Sequence, residues 1–272
     1  IKWATSMNGR RLDEKVALVS GAGSRGSLLG TGRATAILFA REGAKVFLVD
    51  WDLESAEETK AIIQSEGGES VVWKADVTKD EACKAMAEAC MEQYGALHIL
   101  FNNVGGPGSG DVTEIEEGLW EESLDRNLKS AAFASKYAVP KIRESGGGSI
   151  IHVSSIDGYR AGAAKNIPYS VAKGGVIQLT RAMAVHHGRD KIRVNCIAPG
   201  HLYGPFVEHV PDEWREMRRK AGPLGTEGDA WDVAWAAVFF ASDESKWISG
   251  VVLPIDAGLQ AATPLSVLHN LV

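Results

Sequence analysis

Short, continuous apolar runs alternate with longer stretches of helical periodicity along this chain. Residues 16–19 read as a first strand, 31–42 as a helix stopped by Gly43, and 46–49 as a second strand. The pattern repeats with a helix over 54–66, a strand over 71–73, a helix over 79–94 and a strand over 98–101. A long helix over 117–144, adjusted at Pro140, ends before Gly146-Gly147-Gly148. Strands over 149–153 and 192–197 flank a helix over 168–187, and 251–255 closes the series. Strands that are apolar along their whole length need cover on both faces, which parallel sheets receive from their crossover helices. Right-handed crossovers then build an α/β fold, a single-domain Rossmann-type doubly wound parallel sheet with helices on both faces. With no linker or internal repeat in view, one domain is expected over 12–260, after an N-terminal extension of 1–11 and before a C-terminal tail of 261–272. Residues 201–228 interrupt the alternation with Gly, Pro and aromatic residues. They are expected to form a substrate loop with its own short helix.

Composition narrows the partners. The 272 residues, 45% of them hydrophobic, suit one large α/β domain. A net charge of −6 without a dense Lys/Arg tract argues against nucleic acid. No apolar run reaches bilayer-spanning length, and the N-terminus lacks the basic start and apolar core of a secretory signal, so a cytoplasmic protein with no membrane partner is expected. Residues 1–6, ahead of Met7, are compatible with a cloning remnant. Cys83 and Cys90, seven apart on one predicted helix, are expected to face the core, and with Cys196 they read as buried thiols of a reducing compartment. The seven histidines show no metal-ligand spacing, and adjacent His186 and His187 point to different helix faces, so no metal is expected.

Polar and glycine-rich residues gather immediately after the strands, where ligands bind in such sheets. The first strand runs into Ser20-Gly21-Ala22-Gly23-Ser24-Arg25-Gly26-Ser27-Leu28-Leu29-Gly30-Thr31-Gly32. Gly21, Gly23 and Gly26 match a Gly-x-Gly-x-x-Gly dinucleotide fingerprint literally. In the alternative and preferred reading, Gly21, Gly30 and Gly32 are the working glycines of a loop about five residues longer than usual, because the helix would otherwise open through two glycines, each costing about 1 kcal/mol. Either way, glycines let backbone approach a pyrophosphate at a helix N-terminus. Tyr169 and Lys173 lie one helical turn apart on one face. An ammonium there favours the phenolate and would make Tyr169 a usable general acid or base.

In order along the chain come this glycine turn, Asn102-Asn103-Val104-Gly105, Asn127, Ser154-Ser155, Tyr169-Ser170-Val171-Ala172-Lys173 and Pro199-Gly200. Together they resemble the short-chain dehydrogenase/reductase family, over roughly residues 12–260. The resemblance implies a nicotinamide cofactor and hydride transfer between it and a secondary alcohol or ketone. It assigns the proton step to Tyr169 and gives Lys173 the lowering of the tyrosine pKa and a bond to the nicotinamide ribose. Ser155 would hold the substrate oxygen, and Asn127 would maintain a water chain from Lys173. Ser155 stands fourteen residues before Tyr169, one more than the commonest family spacing, which leaves Ser154 in contention.

For the cofactor, the resemblance implies contacts from Gly21, Arg25, Gly30, Thr31, Gly32, Asp50, Trp51, Asp76, Val77, Asn103, Gly105, Pro199, Gly200 and Leu202, besides Tyr169 and Lys173. Asp50, eighteen residues past Gly32, can accept both ribose hydroxyls and would repel a 2′-phosphate, favouring NAD over NADP. Arg25 argues the other way, since a basic residue in this turn often accompanies NADP in similar enzymes. Val104 replaces the family's usual alanine, and Gly204 occupies a position where a threonine commonly contacts the cofactor.

The substrate pocket is expected from 106–111, 156–168 and 201–225. Tyr159, Tyr203, Phe206, Trp214 and Met217 suggest an apolar or ring-bearing substrate, whereas Arg160, Lys165, His201 and His209 would suit a carboxylate. A secondary alcohol or its ketone is preferred over a sugar or polyol. A cofactor-binding protein without redox turnover is the alternative class. The resemblance also implies a homotetramer. Residues 131–134, with Val176, Ile177 and Leu179, would form its seams, or equally a core, and Leu265, Val267, Leu268 and Leu271 of the tail would pack on a neighbouring subunit.

Overall fold

The computed structural model describes residues 10–162 and 164–271; the predicted cloning remnant lies outside the described residues. Seven parallel strands are β1 (Val16–Ser20), β2 (Lys45–Asp50), β3 (Ser70–Lys74), β4 (Ile99–Asn102), β5 (Gly148–Val153), β6 (Ile192–Pro199) and β7 (Val252–Ile255). They lie in the order β3-β2-β1-β4-β5-β6-β7. The order reverses direction between β1 and β4, which opens a crevice at their carboxyl ends.

Alternation along β1 divides the core in two. Ala17 and Val19 face one side, where α1 (Thr31–Arg41) and α8 (Ala230–Ala241) pack with Ile63 of α2 (Leu53–Ser65). Val16 and Leu18 face the other, against α3 (Asp80–Tyr94), α5 (Ser130–Glu144) and α6 (Ile167–His187). Cys83 and Cys90 fall in this second core as free thiols, and burial pushes both up to about 12, which leaves them unreactive. No helix among the described residues is long and apolar enough to cross a membrane.

The long helix expected over 117–144 runs without interruption, but its adjustment does not lie at Pro140, which stays inside α5. Between α4 (Glu117–Leu124) and α5, residues Asp125–Lys129 form a widened π-helical turn. Asn127 is the reason. Its Nδ2 donates to the Ser123 carbonyl one turn back and to the Gly106 carbonyl, both at 3.0 Å, while its Oδ1 accepts the Gly106 amide at 3.0 Å. A side chain that binds the helix's own carbonyl competes with the regular ladder.

Of the residues expected at a seam or in a core, Ala131, Ala134, Val176 and Ile177 are buried within this chain, and Ala132, Phe133 and Leu179 are partly buried. The tail packs in part on its own chain and leaves Leu265, Leu268 and Leu271 exposed. Its α9 (Leu268–Leu271) packs on α7 (Asp212–Ala221), the short helix of the 201–228 loop, and Val267 is buried within its own chain.

Candidate active site

One large cavity opens where β1, β2, β4, β5 and β6 end, and its volume of about 1780 Å³ exceeds the 300–1,000 Å³ typical of a single small-molecule site. A dinucleotide and a second molecule fit together in such a space. Every cofactor residue expected from the sequence lines it, as do Ser155, Tyr169 and Lys173. Asn127 does not line it and stands behind Gly105 and Gly106, tied to Gly106 backbone.

The glycine turn is shaped by close approach. Helix α1 starts at Thr31 with Gly30 as its N-cap, so residues 22–29 form a lengthened loop and the literal fingerprint does not open the helix. A Cβ on Gly32 would stand 2.6 Å from Asn103 Nδ2 and run into the Gly21 carbonyl. Asn103 joins both sides of this contact, since its Nδ2 donates to Gly21 O at 3.0 Å and its Oδ1 accepts from the Thr31 hydroxyl at 2.6 Å. Among the described residues no side chain caps the first turn of α1, so its amides and dipole are available to an anion. The turn therefore fits a dinucleotide pyrophosphate.

Asp50 ends β2 with both carboxylate oxygens engaged by backbone, Oδ2 accepting from Gly23 N at 2.9 Å and Oδ1 from Asp52 N at 3.0 Å. These bonds hold the carboxylate at the rim, where a ribose would lie. Arg25 sits over the Trp51 ring, 5.5 Å from its centroid, so the lengthened loop returns a cation to the same region. Gly204 brings no side chain to the cavity where a threonine was expected, and neighbouring Tyr203 is stacked under Arg215 at 3.5 Å.

The strand end of β5 separates the two serines. Ser154 is buried and donates to the Lys173 carbonyl at 2.7 Å. Ser155 accepts the Asp157 amide at 3.1 Å, which leaves its hydroxyl proton to donate into the cavity. Lys173 is buried and donates from Nζ to the Val153 carbonyl at 2.9 Å. Its Nζ lies 5.7 Å from the centre of the Tyr169 ring.

The expectation that Lys173 lowers the Tyr169 pKa is not met in the free protein. Burial pushes the phenol up to about 12, the Ser155 hydrogen bond draws it back in part, and Asp157 raises it. Burial also pulls the Lys173 ammonium down to about 8, opposed by Cys196. Desolvation disfavours both charged forms and is the largest cause of each shift.

Two contributors escaped sequence reasoning. Glu208 reaches from the substrate loop to accept from the Ser27 hydroxyl and, at 3.1 Å, from the Ser27 amide, so the lengthened glycine loop is clasped to the loop above it. Val267 and Leu271 of the tail line the cavity beside Trp214 and Met217. No local signal marks the first; the apolar spacing of the tail could have indicated the second.

A family model described as Enoyl-(Acyl carrier protein) reductase matches residues 26–260. An uncharacterized oxidoreductase of Bacillus subtilis (strain 168) is 36% identical over 262 residues, covering 93% of each chain. Cyclohexanol dehydrogenase of Acinetobacter sp. (strain SE19) is 35% identical over 248 residues, 90% of this chain and 95% of its own. Among solved structures, carveol dehydrogenase from Mycobacterium avium, in complex with NAD, superposes with a TM-score of 0.87 at 31% identity, covering 93% of this chain and 99% of that one.

Proposed function

Because this chain belongs to the short-chain dehydrogenase/reductase family, we propose that it is an NAD-dependent oxidoreductase acting on a ring-bearing secondary alcohol or the corresponding ketone. The observation that carries this reading is the convergence of the Ser155 hydroxyl, Tyr169 and Lys173 on the cavity that also holds the glycine turn. A protein that only bound the cofactor would have no need of a proton donor there. Apolar Trp214, Met217, Val267 and Leu271 support a hydrophobic ring, as do the relatives named for cyclohexanol and carveol.

The glycine turn and the first turn of α1 would hold the pyrophosphate, and Asp50 the adenosine ribose. Asp50 would accept the ribose hydroxyls and repel a 2′-phosphate, which is the reason for preferring NAD. When bound, the nicotinamide supplies the two-electron chemistry, taking a hydride from the carbinol carbon or returning one to the ketone carbon. Ser155 donates to the substrate oxygen and holds it toward Tyr169. In reduction, Tyr169 gives its proton to that oxygen, a role for which a phenol held protonated by burial is already prepared. In oxidation, Tyr169 takes the hydroxyl proton, and the Lys173 ammonium offsets the negative charge on the phenolate that must form first. Asn127 shapes this region by pinning Gly106 and widening the helix that faces it.

The test is NADH formation from a panel of secondary alcohols, with NAD and NADP in parallel and wild type beside Tyr169→Phe. Wild type should turn over with NAD, and the variant should lose about 10²–10⁴-fold in rate, the usual worth of a positioned acid or base. NADH binding, followed by its fluorescence, should stay within about twofold. A variant that keeps its rate, or a wild type that binds NADH but oxidises nothing, would refute the reading.

A further inference from the structure

The cavity as a whole presents more apolar than polar surface, and one polar side chain in it is locked in a particular chemical form. His201 lies directly after Pro199-Gly200. The backbone there has little freedom: Gly200 N donates to Ile255 O at 2.9 Å, and a Cβ on Gly200 would stand 2.6 Å from Asp256 Cβ. The ring is then fixed by its Nδ1, 3.2 Å from the backbone carbonyl oxygen of Arg218 on α7. A carbonyl oxygen can only accept, so Nδ1 carries the hydrogen.

The other nitrogen follows from charge. Burial lowers the His201 pKa; the Arg218 carbonyl raises it, the Arg218 and Arg160 cations lower it further, and Asp157 opposes them, with a net lowering. The imidazole is therefore neutral at pH 7, and Nε2 presents a lone pair. Among the described residues none donates to Nε2, and it is not one of the buried atoms sealed without a partner. Of the nearby guanidinium groups, Arg218 donates from Nη2 to Leu202 O at 3.0 Å with its Nη1 3.6 Å from Glu227 Oε1, and Arg160 donates from Nη1 to the Ala161 carbonyl at 3.5 Å.

We propose that His201 is a specificity-determining residue, whose Nε2 accepts a hydrogen bond from a second hydroxyl of the substrate. The enzyme then prefers a diol to the mono-alcohol on the same carbon skeleton. The inference rests on the proposed oxidation of ring-bearing secondary alcohols. It adds a polar point of recognition to a pocket that hydrophobicity alone would leave indifferent to the second oxygen. A site built to pair a hydroxyl discriminates against a substrate lacking it, because the protein group is then left without its partner.

The experiment measures kcat/KM for cyclohexanol and trans-1,2-cyclohexanediol with NAD, in wild type, His201→Leu and His201→Gln. Wild type should favour the diol by about tenfold, equivalent to about 1.4 kcal/mol. In His201→Leu the ratio should fall to about one, with the loss in the KM for the diol. In His201→Gln, whose amide oxygen can still accept, part of the preference should return. NADH binding and the melting temperature report whether each variant is folded, and the glutamine variant decides the matter if the leucine variant is not. A diol-to-mono-alcohol ratio that is the same in wild type and variants would overturn the assignment while leaving the oxidoreductase reading intact. A wild type that binds NADH and oxidises neither compound would overturn that reading and this inference with it.

Discussion

Replacing Gly32 by alanine sets two physical effects against each other. Gly32 is the second residue of α1, and helix propensity alone predicts that alanine stabilises the protein by about 1 kcal/mol. The tertiary contact predicts the opposite. The new Cβ would stand 2.6 Å from Asn103 Nδ2 and 2.9 Å from the Gly21 carbonyl carbon, where carbon contacts favour about 3.5–4.0 Å. Relief requires α1 and the turn after β1 to part by the better part of an ångström. Overpacking of this kind costs about 1–3 kcal/mol. The separation also strains the two bonds through which Asn103 joins Gly21 and Thr31, each worth about 1 kcal/mol. Set against the gain in propensity, the net effect is a loss of about 2–4 kcal/mol. For a domain of this size that lowers the melting temperature by about 5–15 °C. Thermal unfolding with and without NADH is the assay, and the displaced turn should also weaken NADH binding by at least about tenfold. A Gly32→Ala protein that melts at or above wild type and binds NADH normally would refute the reasoning, because it would mean that the close approach does not constrain the turn.

Cofactor choice and proton affinity offer further checks. Asp50→Asn keeps the shape at the end of β2 but removes the charge facing a 2′-phosphate; at about 5 Å and an effective dielectric of about 20, one unit-charge pair is worth about 3 kcal/mol before screening. The NAD-to-NADP ratio of kcat/KM should therefore fall by about 10–100-fold, and an unchanged ratio would remove Asp50 as its determinant. Lys173→Met should be inactive yet more stable than wild type near pH 7. Burial depresses the lysine to about 8 in the folded chain against about 10.4 unfolded, so its penalty is full below pH 8 and fades as pH rises toward 10.4. The variant's advantage should reach about 3 kcal/mol at neutral pH and shrink by pH 9.5. Melting curves at the two pH values test this, and a variant less stable than wild type at pH 7 would count against it.

The alternation of apolar strands with helices was legible in the chain because both periodicities are local, and both survive packing when each strand is buried on two faces. The position of each motif after a strand followed from that alternation. The Tyr169–Lys173 pairing followed from the helical repeat. What the residues alone could not decide depended on groups distant in the chain. Gly30 and Gly32 stand at the start of α1, where Gly21 and Asn103 press against it. Ser154 was separated from Ser155 by the Lys173 carbonyl, and the adjustment in the long helix lies at Asn127 rather than Pro140 because Asn127 binds Gly106 across the site. The Tyr169 phenol stands above its ordinary value rather than below it because spacing brings charges together, whereas only the completed fold removes the water around them. The same holds for His201, whose ring nitrogens take their roles from a carbonyl seventeen residues away, brought to it by the folding of α7 over the cavity.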